Sequence, residues 1–139
     1  MYKVTNVNIA CSGVYFGCKH GDEENTIKEI ISKDKLSYFS KKYKQIPLTV
    51  DHDNNREIGY MNNFHMIGSS LFGDINIFER ESLDLLVDMY ISPEFILNEK
   101  TNSVKSMIRV SVVDNPAIQD NLKILSSHDI VNNGKGKLP

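Results

Sequence analysis

Ser111, within VSVVDNPA, and His52, within LTVDHD, are the two residues best placed to do chemistry in this 139-residue chain. A serine hydroxyl is a weak nucleophile at neutral pH. It needs a base to take its proton and a third group to orient that base. His52 ends an apolar run at 48–50, where a side chain can be held rigidly, and Ser111 sits between two valine-rich stretches. Stiff placement matters because proximity gains are lost with misplacement on the order of 1 Å. Sequence spacing alone does not bring the two together, and a serine in a strand is usually structural.

The cluster Asp51-His52-Asp53 with Asn55 also invites a metal reading, since hard cations prefer clustered oxygens. The calcium-loop pattern fails at its sixth position, Arg56 in place of glycine, and at its twelfth, Asn62 in place of glutamate. No second ligand set stands at metal spacing, so no metal site is expected. Cys11 and Cys18 lack zinc-type partners and are expected as free thiols. His20 and His65 are isolated and are read as packing or surface residues.

The elements that must position Ser111 and His52 are short and mostly extended. Residues 4–10, 13–18, 48–50, 57–61, 94–98 and 105–113 read as strands, and 67–77 as one or two strands interrupted by Gly68 and Gly73. Thr26 and Glu29 form a T-x-x-E capping box ahead of Ile30 and Ile31, which predicts a helix after a polar loop at 20–25. Leu36, Phe39 and Tyr43 predict a second helix. Leu83, Leu86, Val87 and Tyr90 predict a third over 79–90, capped by Asn76. The fold class is α+β: a mainly antiparallel β-barrel with peripheral helices.

Composition narrows the partners. A hydrophobic fraction of 40% and a net charge of −2 describe an ordinary globular chain with no global attraction to nucleic acid or anionic membrane. Lys41, Lys42 and Lys44 have acidic neighbours and read as a solvated helix face. No run approaches the ~18 apolar residues of a membrane span. The N-terminus lacks a basic segment followed by an apolar one, so no signal peptide is expected.

Taken together, these blocks resemble the viral capsid-maturation proteases, namely the tailed-phage prohead serine proteases and the related herpesvirus assemblins. Residues 111–117, SVVDNPA, are similar to the S-L-V-x-x-P-A block of prohead proteases, and 91–95, ISPEF, to the S-x-x-F segment before it. Residues 46–53, IPLTVDHD, with Ile58-Gly59 beyond, resemble the assemblin histidine block. Residues 13–17, GVYFG, resemble the assemblins' first strand, and 71–73, LFG, another short block. The order and spacing of these blocks carry the resemblance, which spans about residues 13–117.

The resemblance implies a herpesvirus-protease-like barrel and a serine endopeptidase. Ser111 would be the nucleophile and His52 the general base. His128, the only histidine after Ser111, would be the third member, with Asp129 as the alternative and Asp120 a weaker one. It implies a protease domain over 1–130 and a flexible tail, or linker to a scaffold region, over 131–139. Viral scaffold and major capsid proteins would be the substrates, in the host cytoplasm within a procapsid. No cofactor, membrane or nucleic acid is implied, and a homodimer is the self-association to test. The chain departs from the assemblin pattern in one respect: no arginine follows Ser111. Backbone amides near the serine would then serve the oxyanion. Arg109 shares Ser111's parity but is expected chiefly as a surface salt-bridge residue. The alternative reading is a catalytically inactive capsid- or scaffold-binding module of the same fold.

Overall fold

The computed structural model describes residues 1–19, 22–114 and 124. Eight strands, one α-helix and one short 3-10 helix follow in the order β1 Tyr2–Cys11, β2 Gly13–Lys19, β3 Asp22–Ile31, α1 Lys33–Lys42, β4 Gln45–Val50, β5 Asp53–Ile67, β6 Ser70–Ile77, the 3-10 helix Arg80–Leu86, β7 Tyr90–Leu97 and β8 Val104–Val113. Six strands form one sheet in the order β1-β6-β5-β4-β8-β7, and β2 pairs with β3 as a separate hairpin. The sheet curls until its two edge strands, β1 and β7, come into contact. No ladder joins those edges among the described residues, so the expected barrel is an open half-barrel. The fold is mostly β.

The pattern signals for the strands hold where apolar and polar residues alternate. In β8, Val110 and Val112 face the core, together with Leu48 of β4 and Ile91 of β7. Ser111 then faces the opposite side of the sheet, in register with Thr49 of parallel β4 and Ser92 of antiparallel β7. Lower in β8, Arg109 pairs with Glu94 and Met107 with Phe95, which makes Ile108 the extra residue of a bulge. The bulge returns Met107 to the core, and the Tyr43 hydroxyl accepts the Met107 N–H at 3.1 Å.

Of the three expected helices, one forms as read. Ser32 caps α1, its Oγ accepting the Lys35 N–H at 3.0 Å, and Leu36 and Phe39 are fully buried. Each contributes roughly 1.5–3 kcal/mol through burial. Lys41 and Lys42 stand exposed in its last turn, complementing the helix dipole. The T-x-x-E segment is instead strand β3, paired with β2 from Gly13↔Ile31 through Cys18↔Thr26. The strand also takes in Asp22 to Asn25, which had read as loop. The isoleucines and threonine there suit a pleated ladder, and hairpin pairing overrides a local capping signal.

The expected helix over 79–90 is a 3-10 turn ending at Leu86, and Tyr90 already belongs to β7. Asn76 does not cap it: that side chain is buried in β6 and donates to Asn62 Oδ1 at 2.8 Å. Leu86 still packs in the core, so the apolar spacing marked a buried face without fixing the helix type.

Gly59 of β5 lies where the strands approach closely. A Cβ there would fall 1.9 Å from the Asn76 carbonyl oxygen, so no other residue fits. Gly68 starts the two-residue turn between β5 and β6 at φ 61°. His65 stacks on Phe72, with ring centroids 6.1 Å apart, as a packing residue. Cys11 is a free, half-buried thiol 3.0 Å from Ser70 Oγ. Among the described residues, no helix is long and apolar enough to cross a membrane.

Candidate active site

The site lies where β4 turns into β5. Val50 pairs with Asp53, so Asp51 and His52 are the two loop residues of a hairpin. Both have positive φ, 52° and 58°. A two-residue turn of the right twist requires this of both central positions, and Asp and His tolerate it better than most residues. Two bonds hold the turn to β8. The Asp51 N–H donates to the Val112 carbonyl at 3.0 Å, and the His52 N–H donates to Ser111 Oγ at 2.7 Å. The structure thus brings Ser111 and His52 into direct contact across 59 residues of sequence.

Ser111 is 0% exposed, and its hydroxyl belongs to a hydrogen-bonded chain. Because the His52 amide only donates, Ser111 Oγ accepts there, and it shares a second hydrogen bond with Thr49 Oγ1, 2.6 Å away, in which either hydroxyl can donate. Thr49 Oγ1 can also donate to the Val110 carbonyl at 3.4 Å. Ser92, also buried, completes a row of three hydroxyl residues across β7, β8 and β4. Among the described residues, the partners of Ser111 Oγ do not include the His52 ring.

The ring faces an open cleft of ≈ 410 Å3 lined by His52, Asp53, Asn54, Asn55, Glu94 and Arg109. Its Nδ1 lies 3.6 Å from Glu94 Oε2, and the same oxygen lies 3.3 Å from Arg109 Nε. The three side chains are between 21% and 29% exposed, so their attraction is screened only in part. Glu94 Oε2 is itself shut off from solvent and accepts no hydrogen bond of good geometry. Its contact with Arg109 is therefore an ion pair without hydrogen-bond geometry, and its contact with His52 is an ion pair only when the ring is protonated. Arg109 is a salt-bridge residue, as expected, but in the wall of the cleft.

The other acidic groups of the turn have partners of their own. Asp51 pairs with Arg56 at 3.7 Å, and Asp53 Oδ1 accepts the Asn55 N–H at 2.9 Å. Among the described residues, no group of three His, Cys, Asp or Glu side chains is arranged around a common point for a metal. His128, Asp129 and Asp120 lie outside the described residues, as do His20 and the boundary drawn at residue 130.

Glu94 is the residue that sequence reasoning missed. Its one signal was a place in ISPEF, two residues after Ser92 and so on the same face of an extended strand. Only the β7–β8 register, Glu94↔Arg109, puts it beside the histidine turn.

No protein-family model matches the sequence, and no curated protein matches it. Solved structures do. Kaposi's sarcoma-associated herpesvirus protease in complex with an allosteric inhibitor is similar at 12% identity and a TM-score of 0.54, over 95% of this chain and 80% of that one. The same protease bound to a dimer disruptor is similar at 13% identity and a TM-score of 0.53, over 88% of this chain and 72% of that one. A room-temperature crystal structure of that protease with an allosteric inhibitor gives 13%, 0.53, 88% and 71% in the same terms. The fold of this chain is therefore that of a herpesvirus protease.

Proposed function

We propose that this chain is a serine endopeptidase of the capsid-maturation kind, cutting scaffold and major capsid proteins inside a procapsid. The observation that carries this reading is the 2.7 Å contact between Ser111 Oγ and the amide of His52, on a herpesvirus-protease fold. Two residues nominated from separate sequence blocks are neighbours, on a sheet and a tight turn that hold both stiffly. The likeness to a protease bound to a dimer disruptor supports testing a homodimer as the working unit. Host cytoplasm, within the assembling shell, is the proposed place of action. Confinement there raises effective concentration and lets a weak free enzyme cut efficiently.

In the proposed reaction Ser111 turns from Thr49 toward the His52 ring and attacks the scissile carbonyl. As the Oγ–C bond forms, its proton passes to His52 Nε2. His52 then gives that proton to the leaving amine as the C–N bond breaks. Water attacks the acyl-enzyme, and the same histidine takes and returns the proton. Backbone amides beside the serine, with Arg109 at the cleft wall, are the proposed oxyanion donors. Loss of one such donor costs about 10²–10³ in rate. His128, or Asp129 in its place, is the third member that the sequence resemblance implies.

A second reading has its own observation. Ser111 is fully buried and its hydroxyl is satisfied on both sides, as in an inactive module that keeps the fold to bind capsid or scaffold protein. Co-expression with candidate scaffold and capsid proteins separates the two, with products read by mass spectrometry. Cleavage that disappears in a folded Ser111→Ala variant is the expected result, with a loss of ~10⁴–10⁶ in rate. Cleavage unchanged by the substitution overturns the assignment of Ser111. Binding without cleavage by either protein favours the inactive module.

A further inference from the structure

We propose that Glu94 is the positioning residue for His52: its carboxylate holds the proton on Nδ1 and leaves Nε2 free to accept one. The inference rests on the protease reading above and gives Glu94 the orienting role that the sequence resemblance would assign to His128 or Asp129.

Three observations carry it. First, Glu94 Oε2 stands 3.6 Å from Nδ1, the nitrogen that faces away from a nucleophile when Nε2 is the base. Second, that oxygen is closed off from solvent yet lacks a hydrogen bond of good geometry. A buried acceptor left in this state is costly, and the His52 Nδ1–H is a donor that can satisfy it once the pair closes up. A contact longer than a hydrogen bond in the resting protein is ordinary for catalytic pairs, which tighten once charge develops. Third, Arg109 sits 3.3 Å from the same oxygen and holds the carboxylate in place against the His52 side of the cleft.

The neighbours compete poorly for this role. Asp51 is turned to Arg56, and Asp53 to the Asn55 amide. The turn fixes the His52 backbone through Ser111, so the ring needs only one further contact to set its orientation.

The test uses the whole chain and two readouts. Long-range proton–nitrogen correlations at a 15N-labelled His52 report its tautomer whether or not the protein cleaves anything. The unmodified chain is expected to show the Nδ1–H form. Glu94→Gln should shift the population toward a mixture of the two forms, and Glu94→Asp should restore most of it. In the cleavage assay Glu94→Gln should lower kcat about 10²-fold or more with KM nearly unchanged, and Glu94→Asp should recover part of the loss. A His52 tautomer unchanged in Glu94→Gln overturns the proposal even if the chain is an active protease. A shifted tautomer with unchanged kcat overturns the positioning role as well. An inactive wild-type chain that still shows the tautomer shift sinks the protease reading and leaves the Glu94–His52 coupling standing.

Discussion

Two polar constellations occupy this sheet, each around a buried residue, Asp74 or Ser111, and they are built alike but finished differently. One surrounds Asp74 of β6. Its Oδ1 accepts the Asn6 N–H at 3.1 Å, and its Oδ2 accepts from Asn63 Nδ2 at 3.0 Å. Asn6 and Asn63 have φ of 54° and 55°, and each marks a bulge on a strand flanking β6. The other constellation is the turn at Asp51-His52, also left-handed, pinned by the Ser111 hydroxyl. In the first, both carboxylate oxygens have donors, and bulges on both sides add twist to the sheet. In the second, one carboxylate oxygen, on Glu94, waits without a good donor beside an open cleft. A completed network specifies shape, whereas an incomplete one beside a cavity has capacity left for chemistry.

Substitutions sharpen that contrast, and Ser111→Ala gives the largest expected effect. Cleavage should vanish, while stability falls by only about 1–3 kcal/mol, because the His52 amide and Thr49 lose one partner. Glu94→Gln should follow, with kcat falling and denaturation hardly altered. Asp74→Ala should do the reverse. It leaves two donors unmatched and should cost about 2–4 kcal/mol in a denaturant titration. Its kcat, measured well below the melting temperature, should stay near that of the unmodified chain. A large loss of kcat in folded Asp74→Ala would erase the distinction between the two constellations.

Smaller effects test the details. Thr49→Val removes the hydroxyl that shares a hydrogen bond with Ser111. It should lower stability by about 1–2 kcal/mol and speed labelling by a serine-directed phosphonate a few-fold. Slower labelling would mean that Thr49 assists Ser111 instead of parking it. The mildest case is Glu29 of β3, whose carboxyl is pushed above the ordinary glutamate value by burial. A carboxyl raised in this way favours the folded state at pH below its unfolded value. That contribution is lost as pH rises through the folded one. Glu29→Gln should therefore raise the melting temperature slightly at pH 7 and leave it unchanged near pH 4.

The local setting of each candidate residue was legible in sequence, but the contact between them, across 59 residues, was not. An apolar run ending in Asp-His is a turn at the end of a strand, and Ser111 inherits its face from the valines around it. Glu94 was not legible, since its place beside His52 depends on the register of β7 against β8 and on the bulge at Ile108. The Asp74 network escaped for the same reason: Asn6 and Asn63 mean little until the strands on either side of Asp74 are known. The T-x-x-E segment misled because a capping motif is read over four residues, whereas strand β3 is set by its partner β2. Helix α1 was legible because its apolar stripe and C-terminal lysines lie within one short stretch.

The ladder between β4 and β8 is parallel, whereas the other pairings of the six-stranded sheet are antiparallel. Thr49 and Ser111, which it joins, are 62 positions apart. Contacts of such long loop closure form late, after the local hairpins. A ribosome that has released the first hundred residues has made the histidine turn but not the strand that pins it. The cleft, lined by His52 from the β4–β5 turn and Arg109 from β8, thus comes into being only with the last strand described, so the turn is made before the wall that gives it a pocket.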